Sequence, residues 1–412
     1  MNYSGKKVAI LGYGLEGTDA EKFLKSAGAS VTILDQKFDD KYLENLERFD
    51  IIVRSPGVYR FLPEIVKAEK SGSKITSAVN LFFENCPAEI IGVTGTKGKG
   101  TTSTLIYEIL KAAGFDVYLV GNIGKSYLEL LPKLTKNSWV VMEMSSFQLI
   151  DMDVSPHIGV VLNITLDHMD WHKSVEEYKK AKKNIVLHQG SDDFAVINEE
   201  YDTPRSFAKD LKSKVVFFSK KTLDKDFREN LLLRGEHNLE NIAAAVTVAG
   251  IIGIAKNIIL DTVKSFKGLE HRLELVGEVD GRTFYNDSFA TGPQPTIAAI
   301  RSFSEPETLI LGGSDKGLDY RELRDEIEKR DNVKNLILIG QIGEKIGVEI
   351  KGKNIVDLGH TSMNRIIEVA FEITPKGGVI ILSPAAASFD MFQNYKDRGM
   401  QFKEAVFKLK NG

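Results

Sequence analysis

Short β-branched runs alternate with helical stretches along nearly the whole of this chain of 412 residues. The runs KKVAILG, EIIGVTG, WVVMEM and ETLILGG are continuously apolar, as expected of strands that are buried on both faces. Chains in which strands and helices alternate in this way form mostly parallel sheets. The sequence therefore predicts an α/β fold.

The alternation is interrupted twice, at FFENCPAE near residue 88 and after GLEHR. These breaks predict three domains: a Rossmann-like domain at 1–88, a central P-loop-type mononucleotide-binding sheet at 89–273, and a Rossmann-like domain at 274–412. Just after the second break, Asp280-Gly281 separates two strand-like arms, a pattern that favours a β-hairpin.

The overall charge and the cysteine content exclude several classes of protein. The 54 Lys and Arg residues nearly balance 57 Asp and Glu, so the net charge of −3 does not suit a general nucleic-acid or membrane-surface binder. A single cysteine, Cys86, excludes a disulfide framework and a cysteine-based zinc site. The sequence begins with a strand pattern rather than a signal peptide, and no apolar run reaches about 18 residues. We therefore expect a cytoplasmic protein that binds neither nucleic acid nor a membrane.

The first glycine motif follows the first strand and opens a helix. It reads Gly12-Tyr-Gly14-Leu-Glu-Gly17, and Asp35 ends the next strand. Such spacing is typical of a dinucleotide-binding turn, in which glycines let the backbone approach a phosphate. A tight turn without a ligand is an equally good interpretation, and Glu16 places a carboxylate where the phosphate would lie.

A second glycine-rich loop, TGTKGKGTT at 94–102, is more specific, because it lies between a buried strand and an amphipathic helix. Backbone N–H groups of such a loop bind phosphates together with the helix dipole. Lys99 adds a positive charge, and the hydroxyl of Thr101 or Thr102 can reach Mg²⁺. The residues predicted to bind a nucleotide here are Gly95, Thr96, Lys97, Gly98, Lys99, Gly100, Thr101 and Thr102.

Carboxylates and histidines follow two further predicted strands. Glu143 closes the run WVVMEM, and a cluster at 163–172 that includes His168 follows HIGVVLNIT. Each would alone be an ordinary loop residue, but carboxyl ends of parallel strands share one edge of a sheet, where Lys99 is also expected. Glu143 and His168 are ligands that suit a nucleotide-bound divalent ion.

A series of ordered strings resembles the Mur ligases. They are TGTKGKGTT, GNIG, EMSSFQL, N-x-x-x-D-H-x-D-W-H, Y-x-x-A-K, GEHNLENIAAA and GLEHR. The C-terminal strings LGGSDKG and LSPAAASFDMFQNYKDRGMQF are similar to those of the members that add glutamate to UDP-N-acetylmuramoyl-L-alanine. A folylpolyglutamate synthetase-type ligase, or another Mur ligase with a different amino-acid acceptor, is the alternative.

The resemblance implies an ATP-dependent ligase of peptidoglycan precursor synthesis that acts through an acyl phosphate. It implies catalytic roles for Lys99, His168 and Lys182, and a site for two Mg²⁺ ions. Lys182 matches the lysine that the family carbamylates, although the residues alone would favour a surface lysine in a basic run. The implied metal-binding residues are Thr101, Glu143, His168 and Lys182.

The resemblance also implies residues for the ATP, the UDP substrate and the glutamate. Further ATP contacts would be Asn238, Asn241, Arg272 and Asp287. The UDP substrate would contact Gly14, Leu15, Asp35, Gly57, Asn122, Ser145 and Gln148, with Asp35 at the uracil. The glutamate would contact Thr291, Lys316, Ser388, Phe389 and Tyr395.

The chain departs from the family pattern at several of these positions. The usual D-S-K-A-T-N string has Phe289 and Gly292 in place of its lysine and asparagine, which leaves the choice of D- or L-glutamate open. Lys97 replaces an asparagine of the loop, and we hypothesise that it supplies the charge of the missing lysine. Glu16 replaces a small hydroxyl residue near the UDP site.

Two other classes of protein explain less of the sequence. An NAD(P)-dependent oxidoreductase could use the first glycine motif, but the glycine-rich loop with Glu143 and His168 would then have no purpose. A nucleotide-gated binding protein without catalysis would keep the loop, whereas the presence of Lys182 and Arg272 argues for activity. We expect a ligase that is a monomer.

Overall fold

The structure is a computed structural model of the chain and describes residues 3–121 and 126–411. The chain forms two compact units, Met1–Phe227 with Leu239–Val263, and Arg228–Asn238 with Lys264–Gly412. The first unit contains two sheets and the second contains one, so the predicted α/β architecture is confirmed. The three predicted domain ranges each contain one sheet, and their boundaries stay a prediction.

The first sheet has four parallel strands in the order β2-β1-β3-β4. Apolar residues of its central strands β1 and β3 are buried, as the continuous apolar runs predict. Its elements are β1 (Lys7–Leu11), α1 (Leu15–Ser26), β2 (Ser30–Leu34), β3 (Ile51–Arg54), α2 (Pro63–Lys70), β4 (Lys74–Ser77) and α3 (Ala78–Asn85).

The second sheet has six parallel strands in the order β10-β9-β8-β5-β7-β6, so β5 lies between β7 and β8. Its strands and the surrounding helices are β5 (Glu89–Thr94), α4 (Lys99–Ala112), β6 (Val117–Gly121), β7 (Trp139–Glu143), α5 (Ser146–Leu149), β8 (Ile158–Val161), α6 (Val175–Leu187), β9 (Phe194–Asn198), α7 (Asp202–Phe207), β10 (Lys214–Phe218), α8 (Glu236–Ile252) and α9 (Lys256–Ser265).

Helix α4 follows the glycine-rich loop, as predicted. Gly98 precedes it with a φ of +86°, a left-handed conformation that glycine adopts without steric cost. Gly114 lies just beyond its end with a φ of +84° and terminates it, as the sequence predicts. The buried face that packs on the sheet consists of Leu105, Ile106, Ile109 and Leu110.

The third sheet has six strands in the order β11-β12-β16-β13-β14-β15, and all its neighbours are parallel except β11 and β12. That pair is the predicted hairpin, in which Asp280 and Gly281 have φ of 44° and 74°. Positive φ at both central residues is what a type I′ turn requires. The elements are β11 (Glu274–Val279), β12 (Arg282–Asn286), α10 (Pro293–Ile300), β13 (Glu307–Gly312), α11 (Arg321–Lys329), β14 (Val333–Ile339), α12 (Gly343–Gly347), β15 (Asn354–Gly359), α13 (Met363–Ile373), β16 (Val379–Leu382) and α14 (Tyr395–Asn411).

We compared the length and the apolar character of each described helix with what a membrane-spanning helix needs. Within residues 3–121 and 126–411, no helix is both long enough and apolar enough to span a bilayer.

Candidate nucleotide and substrate site

The topology of the second sheet brings the predicted catalytic segments to one edge. The glycine-rich loop leaves the carboxyl end of β5, Glu143 is the last residue of β7, and the segment that contains His168 follows β8. Because β5 pairs with both β7 and β8, the three segments are neighbours. This is the crevice in which parallel α/β sheets bind their ligands.

Hydrogen bonds hold the glycine-rich loop to the segment after β8. The backbone N–H of Thr96 donates to the Asn163 carbonyl at 2.7 Å, and that of Lys97 donates to Asn163 Oδ1 at 3.1 Å. The Thr96 hydroxyl donates to the Thr165 carbonyl at 3.0 Å and lies 2.9 Å from the Tyr178 hydroxyl. These bonds fix the loop before any phosphate binds.

Asn241 of α8 packs against the first turn of α4. Its Oδ1 accepts a hydrogen bond from the Thr102 hydroxyl at 3.2 Å, and a Cβ on Gly98 would overlap that oxygen. The structure thus places Asn241, expected at the adenine, beside the phosphate-binding loop. The Thr102 hydroxyl therefore already has a hydrogen-bond partner within the protein. The hydroxyl of the neighbouring Thr101 is also buried.

The side-chain nitrogens of two lysines donate hydrogen bonds to the same backbone carbonyl. Lys99 Nζ donates to the carbonyls of Gly95 and Thr96, both at 3.1 Å, and Lys182 Nζ donates to the Gly95 carbonyl at 2.9 Å. Lys182 is only 2% exposed. Burial, and after it the charge of Lys99, holds the pKa of the Lys182 amine well below its usual range. Lys182, which its neighbours in the sequence would place on a helix surface, is thus buried beside the glycine-rich loop.

The predicted metal ligands differ in their surroundings. Glu143 is buried, and its backbone faces Gly121 of β6, where a Cβ would overlap the Glu143 carbonyl oxygen. His168 is half-exposed, has a φ of +55°, and its ring lies 4.8 Å from that of Phe147. Over residues 3–121 and 126–411, no three His, Cys, Asp or Glu side chains form a metal-binding group.

His172 lies in the same sequence cluster as His168, the segment 163–172. Both of its ring nitrogens face partners within the protein. Its Nε2 lies 2.9 Å from the Ser146 hydroxyl and its Nδ1 lies 3.3 Å from Glu177 Oε1. Burial lowers the pKa of His172, so the imidazole is neutral and supports the turn after β7.

A cavity of about 590 Å³ opens at the carboxyl edge of the first sheet. The first glycine motif and the loop after β3 form its walls, together with Ser126 and Tyr127. Four of the residues predicted to contact the UDP substrate line it: Gly14, Leu15, Asp35 and Gly57. Asn122, a fifth predicted contact, lies outside the described residues.

Asp35 is fixed at the cavity by backbone groups. The N–H of Tyr13 donates to Asp35 Oδ2 at 2.5 Å, and the N–H of Lys37 donates to Oδ1 at 2.8 Å. These two bonds stabilise the charged form and lower the pKa of the Asp35 carboxyl. Asp35 is thus an ionised hydrogen-bond acceptor.

Ser145 and Gln148, the remaining predicted substrate contacts in this unit, form a capping box at the start of α5. The Ser145 N–H donates to Gln148 Oε1 at 2.9 Å, and the Gln148 N–H donates to the Ser145 hydroxyl at 3.3 Å. Gln148 Nε2 in turn donates to Glu16 Oε1 at 2.7 Å. Glu16 therefore orients this amide, a contact that the sequence did not reveal.

Arg54 has a role in this unit that was not predicted from the sequence. It ends β3 and is fully buried, and its Nε lies 2.8 Å from Asp151 Oδ2. Its Nη1 donates to the Val58 carbonyl at 2.6 Å and its Nη2 donates to the Phe147 carbonyl at 2.7 Å. One guanidinium thus joins the loop after β3 to the turn that carries Ser145. The only sequence signal was a charge at the end of the apolar run IIVR.

In the second compact unit, the predicted ATP contact Asp287 is a buried carboxyl whose pKa is shifted. Its carboxylate accepts hydrogen bonds from the Leu273 N–H at 3.0 Å and the Ser383 hydroxyl at 2.7 Å. Burial raises the pKa of Asp287 to about 7.

The other predicted ATP contacts of this unit are Arg272 and Asn238. The Arg272 guanidinium lies 4.6 Å from the centre of the Phe289 ring. Asn238 Nδ2 donates to the Arg234 carbonyl at 2.6 Å.

The predicted glutamate contacts lie in the same unit and differ in exposure. Lys316 and Phe389 are exposed, Thr291 and Tyr395 are half-buried, and Ser388 is buried. The Tyr395 ring contacts the ring of Phe289 at 5.0 Å. Phe289 thus takes up space beside a predicted acceptor contact.

Arg398 of this unit is a fully buried arginine that could not be predicted from the sequence. Its Nε donates to the Ser288 hydroxyl at 2.9 Å and its Nη2 donates to the Ala386 carbonyl at 3.1 Å. Burial lowers the pKa of Arg398 to about 10, which leaves it charged at neutral pH. It holds together the two segments that carry Thr291 and Ser388.

Comparison with known proteins gives one family and several full-length relatives. Residues 93–234 match the family model described as the Mur ligase middle domain. The chain is 41% identical to the UDP-N-acetylmuramoylalanine–D-glutamate ligase of Acetivibrio thermocellus, over 97% of this chain and 96% of that protein. It is 37% identical to the ligase of the same name from Clostridium novyi, over 98% of this chain and 97% of that protein.

Solved structures with the same fold are more distant in sequence. The MurF ligase of Thermotoga maritima, determined in complex with ADP, has a TM-score of 0.62 at 19% identity, covering 99% of this chain and 96% of that chain. The UDP-N-acetylmuramate–alanine ligase of Thermotoga maritima has a TM-score of 0.59 at 16% identity, covering 98% and 99%. At such identities these likenesses show the fold alone.

Proposed function

The chain belongs to the Mur ligase family, and on that premise we propose that it joins D-glutamate to UDP-N-acetylmuramoyl-L-alanine at the expense of ATP. Its relatives at 41% and 37% identity carry this activity in their names and are aligned over nearly their whole length. The reaction would serve peptidoglycan precursor synthesis. We propose further that the protein acts as a monomer in the cytoplasm.

The observation that carries the proposal is that the glycine-rich loop and Glu143 share one sheet edge, and that Lys182 of α6 reaches the same loop. The loop presents the first N–H groups of α4, which bind phosphate oxygens, and Lys99 reaches across its carbonyls. These groups would neutralise the negative charge of the triphosphate as its γ-phosphoryl group moves. An oxidoreductase has no use for this arrangement.

The chemistry has two steps. An oxygen of the substrate carboxylate attacks the γ-phosphorus, the bond to the β-phosphate oxygen breaks, and ADP leaves with that electron pair. The glutamate amine then attacks the carbonyl carbon of the acyl phosphate, loses a proton, and expels inorganic phosphate as the amide forms. Lys99 would balance charge in the first step, and His168 would lie at the metal that assists it.

The donor set fits Mg²⁺, which would supply charge neutralisation at the transferring phosphoryl group. Thr101 and Glu143 offer a hydroxyl and a carboxylate, whereas the Thr102 hydroxyl is bonded to Asn241. Lys182 as an amine cannot bind a cation through oxygen. Its lowered pKa favours the neutral amine, whose nitrogen attacks CO₂ and releases a proton to form a carbamate. We assign Thr101, Glu143, His168 and carbamylated Lys182 to two Mg²⁺ ions.

We propose a separate set of residues for each of the two substrates. The 590 Å³ cavity would take the UDP part, with the ionised Asp35 as an acceptor for the uracil N–H. The exposed Lys316 would pair with the side-chain carboxylate of glutamate. Ser145 and Gln148 would contact the UDP substrate as well.

An assay with alternative acceptors tests the function. Purified protein receives ATP, Mg²⁺ and UDP-N-acetylmuramoyl-L-alanine, with D-glutamate, L-glutamate or other amino acids in parallel, and phosphate release is measured. We expect release that depends on D-glutamate. Release without an acceptor, or with no acceptor preferred, would contradict the proposal.

Two variants test the assigned site. Lys99→Ala and Glu143→Ala should each abolish turnover while the thermal unfolding temperature changes little. Lys111→Ala, at the exposed far end of α4, is the matched control and should retain full activity. A near-normal rate in either site variant would remove that residue from the mechanism.

A further inference from the structure

Three loops of the third sheet meet around one carboxylate, that of Asp390. The loops follow β13, β14 and β16, which are parallel, and β13 lies between the other two, so the loops leave one sheet edge side by side. Lys316, a predicted glutamate contact, is on the loop after β13, and Ser388 and Phe389 are on the loop after β16. A group that joins these loops therefore sets the position of Lys316 relative to Ser388.

The Asp390 side chain is bonded to both of the other loops. Its Oδ1 accepts a hydrogen bond from the Ser314 hydroxyl at 3.1 Å, and its Oδ2 accepts one from the Gln341 N–H at 2.8 Å. The backbone N–H of Asp390 donates to the Ser314 hydroxyl oxygen at 2.8 Å. The side chain is only 9% exposed, so water competes little for these bonds. One carboxylate thus joins all three loops.

Gln341 carries the connection on to the backbone around Lys316. Its Oε1 accepts a hydrogen bond from the Asp315 N–H at 3.2 Å. Asp315 Oδ1 in turn accepts a hydrogen bond from the Gly317 N–H at 2.7 Å. Lys316 lies between these two residues, so the backbone on both sides of it is held by a network that includes Asp390.

Two glycines let the loops approach each other closely. A Cβ on Gly340, which has a φ of +67°, would overlap Asp390 Oδ2, and a Cβ on Gly313, which has a φ of +138°, would overlap the Ala387 carbonyl oxygen. That oxygen accepts a hydrogen bond from the Ser314 N–H at 2.9 Å. Because the loops pack backbone against backbone here, loss of the carboxylate would shift the residues on either side of it.

We propose that Asp390 is a positioning residue for the acceptor amino acid, because it holds the loop that carries Lys316 against the loop that carries Ser388. The inference rests on the proposed function for the identity of the acceptor. It goes beyond that function because Asp390 acts through its neighbours, and because it gives Ser314 and Gln341 a part in acceptor binding.

Steady-state kinetics with each substrate varied in turn test the role. Asp390→Ala should raise the KM for D-glutamate about tenfold, since two bonds to the carboxylate are lost. The KM for UDP-N-acetylmuramoyl-L-alanine should change by less than about twofold, because its proposed contacts lie in the first compact unit. Asp390→Asn keeps one acceptor oxygen, so its KM for D-glutamate should rise only about threefold.

A double-mutant cycle tests whether Asp390 acts through Ser314. Ser314→Ala alone should raise the KM for D-glutamate about threefold. If the two residues act together, the double variant should resemble Asp390→Ala, and the two effects should not multiply. Asp325→Ala, at an exposed position of α11, is the matched control and should behave as wild type. Thermal unfolding of each variant shows whether it is folded.

Three outcomes would overturn the inference while the function stands. The first is an unchanged KM for D-glutamate in folded Asp390→Ala or, where that variant does not fold, in both Asp390→Asn and Ser314→Ala. The second is an equal rise in the KM for both substrates, which would mean a general structural role. The third is a full multiplication of effects in the double variant. A wild-type protein that does not use D-glutamate would reject the proposed function, and this inference with it.

Discussion

Gly98 and Asn241 are in contact at the start of α4, although they lie 143 positions apart in the sequence. Gly98 has a φ of +86°, and a Cβ at that position would overlap Asn241 Oδ1. The same Oδ1 accepts the hydrogen bond of Thr102 at 3.2 Å. The glycine of the loop is therefore required by the packing of α8 as well as by its own backbone conformation.

Gly98→Ala should lower ATP affinity at least about tenfold, because both the left-handed φ and the overlap with Asn241 move the loop. Gly114→Ala is the matched control at the other end of α4. Its φ of +84° gives a similar backbone cost, but no atom lies within 4 Å of the added Cβ. Calorimetry should show ATP affinity within twofold of wild type for Gly114→Ala. Equal losses in the two variants would mean that the contact with Asn241 is unimportant.

Lys182→Met should lower kcat by roughly 100-fold while the protein remains folded, because methionine fills the buried space but cannot form a carbamate or bind a metal. The rate of phosphate release measures the effect. Lys180→Met, on the exposed face of the same helix, serves as the control and should be fully active. Labelled bicarbonate should give a carbamate carbon signal by NMR in wild type and none in Lys182→Met. A fully active Lys182→Met would remove the lysine from the site.

The central sheet and its edge could be predicted from the sequence, because strands buried on both faces leave long apolar runs. The runs that end at Thr94 and Glu143 coincide with β5 and β7, and the loop between β5 and α4 has its own glycine signature. The weaker strands β4 and β15 were not recognised. β15 is an edge strand in which no residue is buried, so its sequence lacks the signal of a strand that is buried on both faces.

Contacts made by buried polar side chains could not be predicted, because they depend on packing between distant segments. Arg54 and Asp151 are separated by 97 residues, and Gln148 and Glu16 by 132. Asn241 matched a family position for adenine, while its contacts with the loop depend on where α8 packs. The sequence thus predicted which segments meet at this sheet edge, but not the side chains that hold them, and the phosphate-binding role of these residues stays a prediction.

Lys97→Asn tests whether the loop lysine supplies charge to the phosphates. Lys97 is exposed, and only its backbone N–H is bonded to Asn163. The charge of an exposed side chain is worth little, so the KM for ATP should rise by a small factor of about two to five. Steady-state kinetics at low and moderate salt measure this, with Lys136→Asn as a control of the same chemistry. An unchanged KM and kcat would end the hypothesis.

Arg54→Met should destabilise the first compact unit by about 3–5 kcal/mol, because it leaves the Asp151 carboxylate buried without its partner. The double variant Arg54→Met/Asp151→Leu should be more stable than Arg54→Met, since no buried charge remains. Chemical denaturation gives both values. A double variant that is less stable than the single variant would show that the backbone carbonyls held by Arg54 matter more than the charge.

Glu307, at the start of β13, is a buried carboxyl remote from the proposed chemistry. Its Oε1 accepts a hydrogen bond from Asn332 Nδ2 at 2.6 Å, while Oε2 is buried without a partner among the described residues. Burial raises the pKa of Glu307 to about 8 from the value of 4.5 for an exposed glutamate.

Glu307→Gln should therefore stabilise the protein at high pH and not at low pH. A carboxyl whose pKa is raised by folding binds more protons in the folded state, so its cost is absent below about pH 4.5, grows through the window to about pH 8, and is complete above it. The unfolding temperature of Glu307→Gln relative to wild type should rise by several degrees between pH 5 and pH 9. Glu372→Gln, an exposed position in the same unit, should follow wild type throughout. A constant difference between Glu307→Gln and wild type at all pH values would mean that Glu307 does not titrate in this range.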